Sequence, residues 1–221
     1  FLGRRNQKNI AMKPNNLMAA AVGTGLLWFG WFGFNAGGAY QAGNLAAVAF
    51  ANTFIALASG MVTWTIYARL VRAKFDFVDV MTGSVAGLAT ITPIAGYIEP
   101  YKAVLVGIVA GIICNIALSF QEKKGWDDAL GVWGVHGIGG FTGTILIGLL
   151  ADKEINGVSA SLQQLKIQVG GVIFVALYAF ILTAIILKLL SHVMRIKPSD
   201  EQIQQGLDET LLNEQTYDLN P

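Results

Sequence analysis

The sequence predicts an all-α membrane protein with six transmembrane helices. Of its 221 residues, 54% are hydrophobic and only 13% are charged, whereas about a quarter of an average soluble domain is charged. Residues 14–68 contain no Asp, Glu, Lys or Arg, and this stretch is long enough for two membrane passes of about 20 residues each. Several such runs, separated by short charged segments, are typical of repeated membrane spanning rather than of one large buried core.

The apolar runs between charged segments predict where the six helices lie. They cover residues 17–37, 45–70, 80–97, 103–120, 130–150 and 167–193. These runs predict a transmembrane domain at 15–197, a cytoplasmic linker at 1–14 before it, and a polar, acidic cytoplasmic tail at 198–221 after it. Because residue 1 is Phe and the first residues form no signal peptide, we expect the chain to begin within a longer protein.

The Lys and Arg residues of the loops predict the orientation of the spans, because positive charge favours the cytoplasmic side. With the first residues placed inside, twelve of the fifteen Lys and Arg residues lie inside and three lie outside. The three outside are Lys102, Lys153 and Lys166. The twelve inside are Arg4, Arg5, Lys8, Lys13, Arg69, Arg72, Lys74, Lys123, Lys124, Lys188, Arg195 and Lys197. Both ends of the chain are therefore predicted to face the cytoplasm.

The third predicted span is short and has a proline near its end. Pro93 follows Thr92 and provides no backbone N–H. Within a membrane, backbone groups that lack their helical hydrogen bonds are tolerated only where other protein groups bind them or where they line a cavity. This end is therefore predicted to be packed or to line a pore.

Asn35 and Asn52, in charge-free spans, are expected to form interhelical hydrogen bonds. Close helix contacts are also predicted by glycine pairs, at Gly83 and Gly87, Gly107 and Gly111, and Gly139 and Gly143.

Composition and motifs argue against several functions. The net charge is only +1, with no basic cluster outside the loops, so no nucleic acid partner is expected. The single cysteine, Cys114, cannot build a disulfide framework or a metal site by itself. No ligand cluster, catalytic triad or phosphate loop can be assembled, and we expect no metal, no cofactor, no catalytic residues and no enzymatic activity. The lack of Asn-Pro-Ala also argues against a water or glycerol channel.

The polar residue that most indicates function is His136, in the fifth predicted span. Ionisable side chains within membrane helices are costly and by default mark a substrate or proton pathway, with a satisfied structural role as the alternative. A neutral imidazole offers one hydrogen-bond donor and one acceptor, which suits it to guide a small polar molecule or to relay a proton. His192 lies beside Arg195 and Lys197 at the end of the last span, where an interfacial role is expected.

The first span ends in an aromatic run at residues 28–34. One interpretation is a belt of rings at the membrane interface. The other is a vestibule whose aromatic faces attract a partly dehydrated cation. Trp31 and Phe34 are three residues apart and share a helix face, whereas Phe32 lies about 100° away. We therefore expect Phe34, rather than Phe32, to face a vestibule.

Three segments, in this order, resemble the ammonium transporter family. They are an aromatic-Asn-Ala-Gly helix end at residues 34–37, an Ile-Thr-Pro with Gly-Tyr behind it at 91–97, and two aspartates followed by Gly-Val-His-Gly at 127–137. The likeness covers nearly the whole chain and matches the C-terminal half of the family's pattern. It implies an eleven-helix fold of two inverted five-helix repeats and a long final helix, in which the six spans are helices six to eleven.

The resemblance also implies a function and partners. Family members transport ammonium through an apolar pore, where it crosses as ammonia beside paired histidines. They assemble as homotrimers in a membrane, here expected to be a bacterial-type inner membrane. A P-II-type signalling protein is the candidate partner at the cytoplasmic face.

By position in the motifs, His136 resembles one of the family's two pore histidines, Phe34 one of its two gate phenylalanines, and Trp31 the neighbouring pore tryptophan. The second pore histidine falls outside this chain. Thr92 and Asp128 are candidates for a role at the pore ends or in the structure. For Asp128, whose carboxylate suits a helix N-terminus, a simple helix cap is an equally good interpretation.

The chain departs from the family pattern at three places. Gly38 replaces a Ser that contributes to the outer ammonium site, Gly131 replaces an Asp near the cytoplasmic end, and the tail differs after Asp208. These departures motivate an alternative function, an ammonium sensor of the same fold that signals occupancy through its tail. Transport is favoured over sensing because the 221 residues contain no kinase or cyclase sequence.

Overall fold

The computed structural model describes residues 14–73 and 75–214. Apart from Pro14, the predicted linker lies outside the described residues, as do residues 215–221 of the predicted tail. Every regular element in the described part of the chain is a helix or a π-helical turn. The all-α fold predicted from the sequence is therefore confirmed.

The helices follow one another with short connections. In chain order they are α1 (Leu17–Gly37), α2 (Asn44–Arg72), α3 (Phe77–Ile91), α4 (Pro100–Lys124), a π-helical turn (Trp133–Gly137) that leads into α5 (Ile138–Leu150), α6 (Lys153–Asn156), α7 (Leu162–Val193), α8 (Asp200–Gln205) and a second π-helical turn (Asp208–Leu212).

Six spans were predicted, and five helical segments of the described chain are long and apolar enough to cross a membrane. They are α1, α2, α4, the first π-helical turn with α5, and α7. The third, α3, is apolar but has only 15 residues, about 22 Å at 1.5 Å per residue. This is shorter than the hydrocarbon core of about 30 Å, so α3 by itself does not have the length of a span, and the third span stays a prediction.

The third span differs most from its predicted bounds of 80–97. Its helix begins earlier, at Phe77, because Asp76 and Asp79 form a capping box with reciprocal side-chain to backbone hydrogen bonds. It ends at Ile91, just before Pro93, and residues 92–97 form turns. The end is packed rather than open, since Ile91 and its neighbours Ile94, Ala95 and Ile98 are buried.

A buried asparagine provides hydrogen bonds to the carbonyl groups of this non-helical segment. The Asn52 side-chain nitrogen donates to the carbonyl oxygens of Ala95 and Ile98, each at 2.8 Å. Asn35 in α1 donates to the Thr53 hydroxyl at 2.9 Å. Both amides therefore form the interhelical hydrogen bonds expected of them.

Three other helices begin at least three residues from their predicted starts. α4 starts at Pro100, where proline fits the first helical turn, and it ends before Gly125, whose φ of +61° closes the helix. The fifth span begins at Trp133 instead of residue 130, because Gly131 has a φ of +64° and breaks the helix. The last span begins at Leu162, where the Ser161 hydroxyl accepts a hydrogen bond from the Gln164 amide at the start of the helix.

The described residues form two compact units, one ending at Phe174 and the other beginning at Val175. In the first unit α2, α3 and α4 pack against one another, α1 lies against α2 and α3, and α5 lies against α3 and α4. The second unit begins within α7 and includes α8, whose N-terminus has a capping box between Ser199 and Gln202.

Glycines allow α2, α3 and α4 to approach closely, and we name four of them the glycine seam: Gly60, Gly87, Gly107 and Gly111. A Cβ added at Gly87 would collide with the backbone of Ala56, and one at Gly107 would lie 2.6 Å from the Ala56 carbonyl oxygen. Real Cβ atoms essentially never come closer than 3.0 Å to another heavy atom. Backbone cannot give way as a flexible side chain can, so the seam requires glycine.

The remaining predicted glycine pairs serve the same purpose at other helix contacts. A Cβ at Gly83 of α3 would lie 2.9 Å from Trp64 Cγ of α2, and one at Gly139 of α5 would lie 2.8 Å from Thr90 Oγ1 of α3. The prediction of tight helix packing at these pairs is confirmed.

Candidate functional site

The indole of Trp31 and the imidazole of His136 form a parallel stack on one face of the first unit. Their ring centroids are 5.9 Å apart and their planes differ by 11°. This is the offset-stacked arrangement that aromatic pairs favour. The structure thus brings together two residues that the sequence placed on different spans.

A hydrogen bond links the same indole to α3. The Trp31 Nε1–H donates to the Thr92 hydroxyl at 2.7 Å, and that hydroxyl donates to the Leu88 carbonyl oxygen at 2.7 Å. A hydroxyl has one hydrogen to donate, so Thr92 can only accept from Trp31. Three of the predicted site residues, Thr92, Trp31 and His136, therefore form one connected chain of contacts.

His136 lies in the π-helical turn that precedes α5. Such turns are rare and are frequent at functional sites. The turn packs against α3 and α4, and two of its residues, Gly134 and Val135, are buried. The His136 side chain itself is exposed, so it projects from a firmly packed turn towards an open face.

Asp128 positions the start of this turn. Its carboxylate accepts from the amides of Val132 at 3.1 Å and Trp133 at 2.9 Å. These amides belong to the orphan donors of a helix N-terminus, where a negative charge is also stabilising. Of the two interpretations of Asp128, the structure gives direct observations for the helix cap.

Gly131 occupies the bend between Asp128 and the π-helical turn. Its φ of +64° favours glycine, and a Cβ there would lie 2.7 Å from Leu118 Cδ2. An Asp at this position would therefore require Leu118 to move. The departure at Gly131 fits its local surroundings in this chain.

Phe34 and Phe32 lie in different environments, as helical spacing predicts. Phe34 is 70% exposed, whereas Phe32 packs against Phe50 and Phe54 of α2 with centroid distances of 4.7 and 6.2 Å. No residue of α1 is buried. We name Trp31, Phe34 and His136 the aromatic–histidine face.

Other predicted features have local roles. His192 hydrogen-bonds through Nδ1 to the Lys188 carbonyl oxygen on an exposed part of α7. Within the described residues, no group of three or more His, Cys, Asp or Glu side chains could hold a metal ion.

The sequence does not indicate two further contacts around the site. The Trp28 Nε1–H donates to the Ser84 hydroxyl at 3.0 Å, which ties α1 to α3 one turn below Trp31. Trp133, beside His136 in the π-helical turn, packs edge-on against Trp126 at 5.0 Å. A tryptophan in a span was interpreted as an interfacial ring, and nothing in the sequence assigns it a partner.

Comparisons with known proteins agree on one family. The model of the Ammonium Transporter Family matches residues 1–217. The chain is 40% identical to the ammonium transporter of Aquifex aeolicus, covering 99% of this chain and 52% of that protein. It is 36% identical to ammonium transporter Amt1 of Archaeoglobus fulgidus, covering 97% and 56% respectively.

Solved structures show the same similarity. Mep2 of Candida albicans matches with a TM-score of 0.83 and 34% identity, covering 91% of this chain and 48% of that one. A structure described as a sensor Amt protein matches with a TM-score of 0.82 and 33% identity, covering 88% and 48%. The chain therefore spans about half the length of the relatives it matches.

Proposed function

Because the chain belongs to the ammonium transporter family, we propose that its aromatic–histidine face forms part of an apolar pathway through which ammonium crosses a membrane as ammonia. The observation that most supports this is the stack of His136 on Trp31 at 5.9 Å, with the exposed Phe34 three residues after Trp31 in α1. The relatives are ammonium transporters rather than enzymes, in agreement with the expectation that this chain is not an enzyme.

The chemistry of the face suits this substrate. Ammonium and potassium ions share the same charge and a similar size, so selection has to use directional hydrogen bonds and proton loss. Aromatic rings attract a cation through their faces, which is the role we propose for Phe34 and Trp31. A neutral imidazole at His136 then provides one donor and one acceptor to the ammonia. Through the same two nitrogens it relays the proton that ammonium has lost, so that one positive charge crosses with each ammonia and gives a current. Apolar lining excludes an ion that keeps its hydration shell.

Currents from proteoliposomes test this proposal. The full-length protein is reconstituted into liposomes, and solid-supported-membrane electrophysiology records its response to pulses of ammonium and of potassium. We expect an ammonium current much larger than any potassium current, and we expect His136→Ala to abolish the ammonium current. Wild-type protein that neither binds nor conducts ammonium would contradict the proposal.

An ammonium sensor is the second candidate function. The similarity to the sensor Amt structure supports it, as does Gly38 at the end of α1, where the family's serine hydroxyl is missing. A sensor would bind ammonium, seen as a saturable thermal shift, without giving a current. The current and the thermal shift, measured on the same preparation, separate the two functions.

We further propose the membrane arrangement that the sequence predicts: a homotrimer in the cell inner membrane, with both ends of this chain in the cytoplasm and a P-II-type protein binding there. The single Cys114 is buried, so a cysteine-free background can carry one reporter at a time. Glu154→Cys should react with an impermeant maleimide from outside only, and Glu209→Cys from inside only. The mass of the detergent-extracted complex tests the trimer, and P-II binding to inverted vesicles tests the partner.

A further inference from the structure

The orientation of the His136 ring is not set by hydrogen bonds. Neither imidazole nitrogen has a hydrogen-bond partner within the described part of the chain, and the contact recorded for the ring is the Trp31 stack. On its own helical segment, Gly137 and Gly140 provide no side chain to confine the ring. The imidazole could therefore rotate about its side-chain bonds unless Trp31 restrains it.

The Trp31 indole, in contrast, is fixed at its edge. Its Nε1–H donates to Thr92 Oγ1 at 2.7 Å. The Thr92 hydroxyl is itself held by its bond to the Leu88 carbonyl oxygen, also at 2.7 Å. Rotation of the indole would break the hydrogen bond to Thr92, because the N–H lies in the ring plane. The indole plane is thus coupled to the end of α3, where Pro93 stops the helix.

We infer that Thr92 is a positioning residue, which through Trp31 fixes the plane of the His136 imidazole and so the direction in which its two nitrogens point. The inference rests on the proposed function for its consequence, because a fixed direction matters for hydrogen bonding to a passing ammonia. Its structural part stands without transport. Thr92 does not need to touch the substrate to act in this way.

The opposing possibility is that Thr92 only terminates α3. Its own amide also bonds to the Leu88 carbonyl oxygen, at 3.2 Å, so a purely local role would be complete without Trp31. Thr65 in α2 makes the same kind of local bond, from its hydroxyl to the Met61 carbonyl oxygen at 2.8 Å. Thr65→Val therefore removes the local bond alone and is the matched control for Thr92→Val.

The variants are compared by a readout that a local role would not change. In ¹⁵N-histidine spectra of the full protein in lipid, the His136 signals are assigned as those that disappear in His136→Gln. We expect Thr92→Val to shift and broaden the His136 ring signals. Thr92→Ser, which keeps the hydroxyl, and Thr65→Val should leave these signals as in wild type. Unchanged His136 signals in Thr92→Val would overturn the inference.

Transport provides the second readout. In Thr92→Val we expect the preference for ammonium over potassium to fall about fivefold, the effect of losing one neutral hydrogen bond, and Thr92→Ser to restore it. If wild type gives no current and the His136 signals still move, the proposed function fails while the positioning stands. If the His136 signals move and the preference for ammonium does not change, the functional part of the inference is overturned.

A second variant is used if Thr92→Val does not fold. Trp31→Phe keeps an aromatic ring and removes the N–H that bonds to Thr92, and we expect the same shifts of the His136 ring signals.

Discussion

The glycine seam and the aromatic–histidine face belong to the same compact unit and follow opposite rules. At the seam, backbone meets backbone, and a Cβ at Gly87 or Gly107 has no room. On the face, Phe34 and His136 project from their helices and are exposed. The seam is specified by the lack of side chains, whereas the face is specified by particular side chains.

This difference separates the residues that keep the helices together from those that we propose to form the ammonium pathway. Lipid gives no hydrophobic driving force between helices, so close packing and hydrogen bonds have to stabilise the bundle. The seam and Asn52 supply both. The face contributes little packing within this chain, yet it contains His136, which lies inside a predicted span rather than at its end. Substitutions in the two regions should therefore have different consequences, stability loss in one and functional loss in the other.

The largest loss of stability is expected from Asn52→Leu in the packed region. It removes the donor to the carbonyl oxygens of Ala95 and Ile98 and leaves both buried without a partner, at a cost of about 2–4 kcal/mol in unfolding free energy. Melting of the purified protein in detergent measures it. Asn115→Leu is the matched control, because the buried Asn115 side-chain nitrogen has no hydrogen-bond partner among the described residues. Equal melting temperatures for the two variants would show that Asn52 is not needed.

A smaller loss is expected when the seam is overfilled. Gly87→Ala places a Cβ against the Ala56 backbone, and overpacking of this kind costs about 1–3 kcal/mol. Gly96→Ala, whose Cβ would meet only Leu45 Cδ1 at an ordinary 3.4 Å, should melt close to wild type. The prediction is wrong if both alanines have the same effect on the melting temperature.

An ion pair at the end of the packed region should contribute less. Asp79 accepts from Arg72 and from the Trp64 Nε1–H. Because the Arg72 side chain is 46% exposed, solvent screens the pair and we expect a coupling of about 1 kcal/mol. A double-mutant cycle with Asp79→Asn and Arg72→Gln measures it. Asp79→Asn should cost more than Arg72→Gln because it also weakens the bond to Trp64. A coupling of zero would show that the ion pair does not contribute to stability.

The smallest effect is expected in the second unit, which belongs to neither region. Ser199→Ala removes the cap of α8 and should destabilise that helix by about 0.5–1 kcal/mol, without changing the melting temperature. Hydrogen exchange of residues 200–205 should become severalfold faster. Ser191→Ala, whose hydroxyl bonds within α7 to the Lys188 carbonyl oxygen, should leave that exchange unchanged. A fall in melting temperature in Ser199→Ala would mean that α8 contributes to the stability of the whole protein.

Much of the fold was predictable because hydropathy and charge are local properties of the sequence. The first span has its predicted bounds of 17–37, since the apolar run is flanked by Asn16 as a cap and by Gly38. The third span was misplaced because the capping box at Asp76 and Asp79 moves the start, and Pro93 moves the end. Hydropathy averages over these local hydrogen bonds.

The candidate site was predictable only as separate residues. His136 was identifiable because an ionisable group in a span is costly, and Phe34 could be separated from Phe32 by helical spacing. The bond between Trp31 and Thr92, 61 positions apart, depends on how α1 packs against α3. The stack on His136 depends in addition on the π-helical turn, which no hydropathy pattern indicates.

The central claim is that function lies on the aromatic–histidine face and stability in the packed helices. The most direct test is to measure the ammonium current per folded molecule and the melting temperature of His136→Ala and Gly87→Ala in one set of preparations. We predict that His136→Ala loses the current and melts as wild type, while Gly87→Ala melts lower and keeps its ammonium current in the fraction that is folded. A His136→Ala protein with a normal ammonium current would contradict the account.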